Sequence, residues 1–179
     1  MARPALSTSP AALRWLARWR VPLGFVASAI AFVLAKPTAA SLALGGAVTA
    51  LGEATRLWAA GHLEKSREVT SSGPYRFTRH PLYVGSTAMG LGLAIASRSV
   101  FVAALVAVYL ATTIPSAIRT EEAYLREQFG ATYDDYAAGT GSRVSRHFSV
   151  ARVIRNKEYR AVTGAAIGFL LLAAKAYFQ

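Results

Sequence analysis

The sequence contains no cysteine. That excludes disulfides, zinc–thiolate sites and cysteine nucleophiles. Charge is scarce, at 16% of residues, and acidic charge scarcer still, with nine Asp and Glu against 20 Lys and Arg for a net charge of +11. No internal repeat and no low-complexity segment is visible along the chain, which excludes a repeat architecture. What is present is apolar. Hydrophobic residues make up 54% of the 179, and the mean hydropathy is +0.33. The length suits a single domain over 1–179. A soluble chain this basic would point to nucleic acid. Here the basic residues flank long apolar runs, so anionic headgroups and membrane orientation explain them better. Nucleic acid is therefore not an expected partner, membrane lipid is, and no metal site is read.

A bilayer core of about 30 Å needs roughly 20 helical residues. Five segments are candidates, at about 21–35, 38–60, 82–97, 100–118 and 161–178. The expected fold class is all-α, a polytopic membrane helix bundle with a cytoplasmic, cofactor-binding C-terminal region. The first segment is short, and Leu13, Trp15, Leu16 and Trp19 extend it as an interfacial turn. A basic stretch before an apolar core also fits a signal peptide. Two tryptophans inside that stretch and four further spans argue against it.

Orientation follows from the basic residues. With the N-terminus cytoplasmic, 17 of the 20 Lys and Arg fall on the cytoplasmic side, and the other three are Lys36, Arg98 and Lys175. The asymmetry places the N-terminus inside and the C-terminus outside. The acidic residues lie on the same face, with Glu53 near it. A site that needs polar groups has one face available. Gly164 and Gly168 form a GxxxG, and Ala88, Gly92 and Ala96 repeat at four-residue spacing, a pattern that lets membrane helices approach closely. Pro115 is expected to kink the fourth span.

Three polar stretches stand out. Glu53 and Arg56 close the second span, and charges at membrane depth need partners. Three apart on one helix face, they either pair with each other or leave Arg56 facing an anionic ligand. The second stretch is Gly73-Pro74-Tyr75-Arg76-Phe77-Thr78-Arg79-His80-Pro81-Leu82-Tyr83-Val84-Gly85. Gly-Pro makes a turn, and Pro81 suits a first helical turn. Arg79 and His80 beside a helix N-terminus suit a carboxylate or phosphate. The alternative is that Arg76 and Arg79 are membrane anchors, with Tyr75 and Tyr83 in an aromatic belt. The third stretch runs from Arg119 through Glu121 and Glu122 to Tyr136; in it Leu125 and Phe129 lie four apart, and Gly130 would end the helix as a C′ glycine. It is either a solvated amphipathic helix or a device holding Glu121 at the membrane boundary.

In this order, GPYRFTRHPLYVG, a helical hairpin, Arg119-Thr120-Glu121-Glu122 and the pair Tyr133 and Tyr136 resemble the isoprenylcysteine carboxyl methyltransferase family. The related membrane phospholipid methyltransferases share much of the pattern. The resemblance covers roughly Gly52 to Arg143. It implies an S-adenosylmethionine-dependent membrane methyltransferase with a cytosol-facing cofactor pocket. By the resemblance, Arg79, His80, Pro81 and Tyr83 contact the cofactor, and Glu121 or Glu122 binds it from the other side through ribose hydroxyls. Gly90 and Gly92 resemble a GxG set against the cofactor in related lipid methyltransferases, although glycine in a membrane helix is more often a packing residue. Arg143 stands where the family places an arginine after the tyrosine pair. It would orient an acceptor carboxylate bidentately, with Glu122 carried beside it as a catalytic candidate.

The implied acceptor is lipophilic, a carboxylate of isoprenylcysteine type or alternatively a phospholipid or other lipid amine, entering sideways from the bilayer. Aligning acceptor and methyl group in a dry site supplies most of the catalysis such a transfer needs. The stretch from Ala137 to Phe148 departs from the family, with two glycines and no proline. The basic run from Arg143 to Arg160 is alternatively an interfacial segment on headgroups. Two other classes compete: a non-catalytic membrane protein that keeps the fold, and a nicotinamide-dependent reductase of membrane steroid-reductase type, which the order of RHP before Glu-Glu fits less well.

Overall fold

The structure is a computed structural model that describes residues 11–142 and 144–178. Among these, every regular element is helical: α1 Ala11–Leu34, α2 Ala39–His62, α3 Pro81–Ser97, α4 Val100–Phe129, α5 Ala131–Ala138, α6 Val150–Arg155 and α7 Tyr159–Phe178, with a 3₁₀ turn at Gly73–Arg76. The fold class is all-α, as expected. By length and composition, α4 and α7 can each cross a membrane, while α1 over 22–34 and α3 carry shorter apolar runs. On these terms two of the five expected spans are supported. The 17 residues of α3 rise only about 25 Å, and α2 carries Glu53 and Arg56.

Neither α4 nor α7 is the core helix of a water-soluble fold, since only 11% and 6% of their apolar windows are buried. Large side chains such as Val100, Phe101, Ile167 and Leu170 are exposed, while the buried apolar residues include Ala31, Ala35, Ala59, Ala60 and Ala96. An apolar surface this wide marks contact with lipid or protein rather than water.

Small residues decide how the helices approach. A Cβ added at Gly45 would lie 2.4 Å from the Gly92 carbonyl oxygen, and one added at Gly52 would lie 2.7 Å from that of Gly85. The α2–α3 contact is therefore backbone against backbone, as the spacing of Gly92 and Ala96 indicates. Gly164 and Gly168 behave differently, since a Cβ at either meets nothing within 4 Å. Their GxxxG faces no other helix among the described residues.

Caps gather one end of the bundle. Thr38 and Ser41 form a capping box at the start of α2, and the Ser41 hydroxyl also donates to the Ala96 carbonyl at 3.0 Å. Lys36 N–H donates to the Ser97 carbonyl at 2.8 Å. Leu172 of α7 packs with Ala35 and Ala96, and Lys175 Nζ donates to the carbonyls of Phe32 and Val33. The polar stretches all fall at the opposite end.

Two elements differ from expectation. The fourth span and the Glu121 helix are one continuous helix, α4, which runs through Pro115 to Phe129. Gly130, at φ 50°, ends it as expected. Residues 11–19 do extend the first segment, as regular helix rather than as a turn, since α1 begins at Ala11 and carries Pro22 inside it.

Candidate active site

A cleft of about 1580 Å³ opens between α1, α3, α4 and α7 at the polar end. Its polar wall includes Arg56, Glu64, Tyr75, Arg79, Glu121, Tyr124 and Tyr136, and deeper it is lined by Phe25, Leu93, Leu105, Val106 and Leu110. One space thus joins a charged, tyrosine-rich mouth to an apolar groove. Along α4 it reaches from Leu125 to Leu105, about 30 Å at the helical rise.

The 3₁₀ turn builds the mouth. Gly73, at φ 58°, bends the chain tightly against His62, where a Cβ would lie 2.5 Å from the ring. Pro74 and Tyr75 are then buried. Tyr136 of α5 donates its hydroxyl to the Tyr75 carbonyl at 3.0 Å, tying α5 to the turn. Burial, with the Glu121 charge second, keeps the Tyr75 phenol protonated far above its ordinary range. Tyr136 is pushed up to about 12, mainly by burial. Tyr133 shifts in the same direction, and its buried hydroxyl has no hydrogen-bond partner among the described residues, although its ring lines the cleft.

His80 caps α3 and Pro81 is its first residue. The carbonyl of His80 takes the N–H groups of Tyr83 and Val84, so the helix start is partly satisfied from within. Glu122 occupies the place read as an anion seat. Its carboxylate accepts from His80 Nε2 at 3.0 Å and lies 3.4 Å from Arg79 and 3.5 Å from Arg126. The His80 hydrogen bond, aided by Arg79, holds Glu122 below the usual carboxylate range against the opposing effect of burial. Arg126 also bonds Asp134 at 3.3 Å and stacks over the Tyr133 ring, joining α4 to α5.

Of the residues singled out in the sequence, Arg79, Tyr83, Gly90 and Glu121 line the cleft. His80, Pro81 and Glu122 stand behind that wall, with His80 and Glu122 facing each other. Gly92 lies at the α2–α3 contact, its position against Thr49 and Gly45 leaving no room for a Cβ. Arg143 lies outside the described residues. Glu121 has no ion pair among the described residues, and its carboxylate remains available to the cleft.

Two sequence readings change. Arg56 does not pair with Glu53. It reaches across to Glu158 at 2.7 Å and Ser86 at 2.5 Å, and both Glu53 oxygens are buried without a hydrogen-bond partner among the described residues. The basic run does not lie wholly on headgroups either. Arg146, Arg152 and Arg155 converge on Glu64 at 3.2, 3.6 and 2.9 Å, and Arg146 also holds Glu68 at 2.7 Å. Four guanidinium nitrogens and two carboxylates thus satisfy one another in a single charge-assisted cluster. Sequence reasoning missed Glu64, Glu68 and Glu158, whose partners lie 78 to 102 residues away. Only their acidity in a basic chain marked them.

Comparison with known proteins supplies the family. A 36% identical relative, the nickel-cobalt-cadmium resistance protein NccN of Alcaligenes xylosoxydans xylosoxydans, aligns over 58% of this chain and 49% of its own length. The cobalt-zinc-cadmium resistance protein CzcN of Cupriavidus metallidurans is 33% identical over 68% of this chain and 59% of its own length. The chain thus spans about half to three-fifths of these curated relatives. No solved structure matches it. The profile described as phospholipid methyltransferase matches residues 23–132, more than half of the chain, from within α1 through α2, α3 and α4 to the start of α5. The chain therefore belongs to the phospholipid methyltransferase family of membrane methyltransferases.

Proposed function

We propose that this chain is an S-adenosylmethionine-dependent methyltransferase whose lipophilic acceptor reaches the cleft from the bilayer. The observation that carries the reading is the single cleft joining a charged, tyrosine-rich mouth to an apolar groove. Its volume exceeds the roughly 300–1,000 Å³ of ordinary ligand pockets, which suits two substrates side by side.

The side chains of the mouth match the cofactor's groups. Arg79 is suited to its carboxylate and Glu121 to its ammonium or ribose hydroxyls. The rings of Tyr75, Tyr83 and Tyr136 offer faces to a cationic sulfur. The orphaned Tyr133 hydroxyl is a donor still to be used. When bound, the cofactor supplies an electrophilic methyl group. The chain's own contribution is to hold, orient and dry the reactants. Glu122 and His80 act one layer back, fixing Arg79 and the start of α3. Gly90 lets Leu110 and Val106 of α4 approach α3 closely beside the groove, and by the resemblance Arg143 takes part in holding the acceptor's anionic group.

The membrane arrangement in this reading keeps five crossings, N-terminus inside and C-terminus outside. It is supported by the concentration of Lys and Arg at the cleft end and by the gathering of the opposite helix ends through caps. The acceptor's reacting group is a carboxylate of isoprenylcysteine type on the RHPLY and Glu-Glu resemblance. The family description favours a lipid amine as the second reading. Esterifying a carboxylate removes a ligand for divalent cations from a surface, and this is the chemical link we draw to the metal-resistance names of the relatives.

Calorimetric titration of the detergent-purified protein with S-adenosylmethionine and with NADPH tests the reading. Binding of the first and not the second is expected. NADPH binding alone would replace the methyltransferase reading with a reductase.

A further inference from the structure

The cleft has α1 on one side, through Gly24, Phe25 and Ser28, and α7 on the other, through Arg160, Ala161, Gly164 and Ala165. The two helices come together at the far end, where Lys175 reaches the carbonyls of Phe32 and Val33 and Leu172 packs with Ala35. Towards the mouth they stand apart, with the cleft between them. Beyond Arg160 the α7 side of this gap carries only the small residues Ala161, Gly164 and Ala165, and a Cβ at Gly164 would meet nothing within 4 Å. Phe25 and Gly164 are both exposed. The gap is thus a side opening at the level of the apolar groove.

One cation stands at its rim without an acidic partner. Arg56 is held by Glu158 and Arg79 by Glu122, but Arg160 makes no ion pair among the described residues. Lys65 is also unpaired there, yet it sits on the loop after α2 rather than on a helix bordering the groove. The backbone under Arg160 is well anchored. Glu158, two residues earlier, is tied to Arg56, and the Asn156 amide donates to the carbonyls of Ala60 and Leu63 at 2.9 and 3.0 Å. The start of α7 is fixed, and the guanidinium has no acidic partner among the described residues.

We infer that Arg160 is the seat for the anionic group of an amphiphile whose hydrocarbon chain enters between α1 and α7. Guanidinium geometry suits a carboxylate and a phosphodiester alike, so the ligand chemistry is an anion placed next to an alkyl chain. The inference deepens the lipophilic-acceptor reading above and rests on it. It makes Arg160 a binding residue for the acceptor in the cleft that Arg79 and Glu121 also line: a carboxylate held there is itself the reacting group, and a phosphodiester held there leaves the lipid amine to react.

The test uses the full chain in detergent and measures binding of N-acetyl-S-farnesylcysteine, its uncharged methyl ester, phosphatidylglycerol and diacylglycerol to the unaltered protein, Arg160→Gln and Arg160→Lys. In Arg160→Gln, affinity for at least one of the two anions is expected to fall about tenfold, the loss of one charge-assisted contact. Both uncharged ligands should be unaffected, and Arg160→Lys should recover part of the loss. Loss confined to the farnesylcysteine assigns a carboxylate ligand, and loss confined to the phospholipid assigns a phosphodiester. Anion affinity unchanged in Arg160→Gln, or an equal loss for the uncharged ligands, overturns the inference. Titration of the same samples with S-adenosylmethionine separates the two claims. Failure of the unaltered protein to bind it overturns the methyltransferase reading, while an Arg160-dependent anion preference still supports the seat.

Discussion

At the scale of single residues, the cleft wall depends on groups that never face the ligand space. Glu122 is ionised and bound by His80, so its lowered pKa stabilises the folded state at pH values above the usual carboxylate range. That contribution is lost as the pH falls through the lowered folded value. Glu122→Gln should therefore lower the thermal midpoint at pH 7, at a cost of about 1.5–3 kcal/mol for a hydrogen bond to a charged group. The gap to the unaltered protein should close on acidification below the carboxylate range. A gap that does not change with pH would assign Glu122 to packing alone. Tyr136 keeps its proton, with its pKa pushed up to about 12, and can always donate to the Tyr75 carbonyl. Tyr136→Phe leaves that acceptor short of a partner and should cost about 1 kcal/mol, read by chemical denaturation of the detergent-solubilised protein. The residue types of this site were legible, because Arg79, His80, Glu121 and Glu122 stand in short, recognisable strings. Which glutamate turns inward was not, since adjacent residues on a helix differ by about 100° and only the packing of α3 against α4 decides. Nor was the Arg56–Glu158 pair, which depends on where the chain returns after α6.

Among elements, α2 and α3 are bound by the absence of side chains. At Gly52 an added Cβ would lie 2.7 Å from the Gly85 carbonyl oxygen and 2.8 Å from Met89 N. These are backbone atoms and cannot swing away. Gly52→Ala should lower the thermal midpoint, by the roughly 1–3 kcal/mol typical of overpacking. Gly168→Ala, which meets nothing within 4 Å, should stay within about 0.5 kcal/mol of the unaltered protein. Equal effects at the two sites would mean that helix propensity, not the α2–α3 contact, sets the response. Small-residue spacing alone did not separate these cases. Gly92 with Ala96 and Gly164 with Gly168 share a four-residue period, but the period names a face and not the helix that meets it. Boundaries were read better than partners. Pro81 and Gly130 punctuate the chain where local backbone chemistry requires, whereas Pro115 lies within α4 without ending it.

For the whole molecule, the asymmetry of charge and the apolar exterior agree. The polar stretches, two arginine-rich clusters and the cleft mouth share one end, and capped turns and small apolar contacts make up the other. A reporter fused after Gln179 should report the outside of the membrane, and one fused at Met1 the inside. A cytoplasmic signal from both would remove one crossing. Composition and spacing could reveal that single polar face, because charge segregation is written along the chain. They could not reveal that the face encloses a cleft running down α4, because that follows from α1 and α7 standing apart in three dimensions.

The central claim is methyl transfer from S-adenosylmethionine to a lipophilic acceptor in that cleft. Its most direct test is to supply methyl-labelled S-adenosylmethionine to membranes containing the protein and to extract the organic phase, with added farnesylcysteine and with native lipid. The account predicts label in an extractable lipophilic product, strongly reduced by Glu121→Gln. Absence of labelled product with every acceptor, from protein shown to be folded, would contradict it.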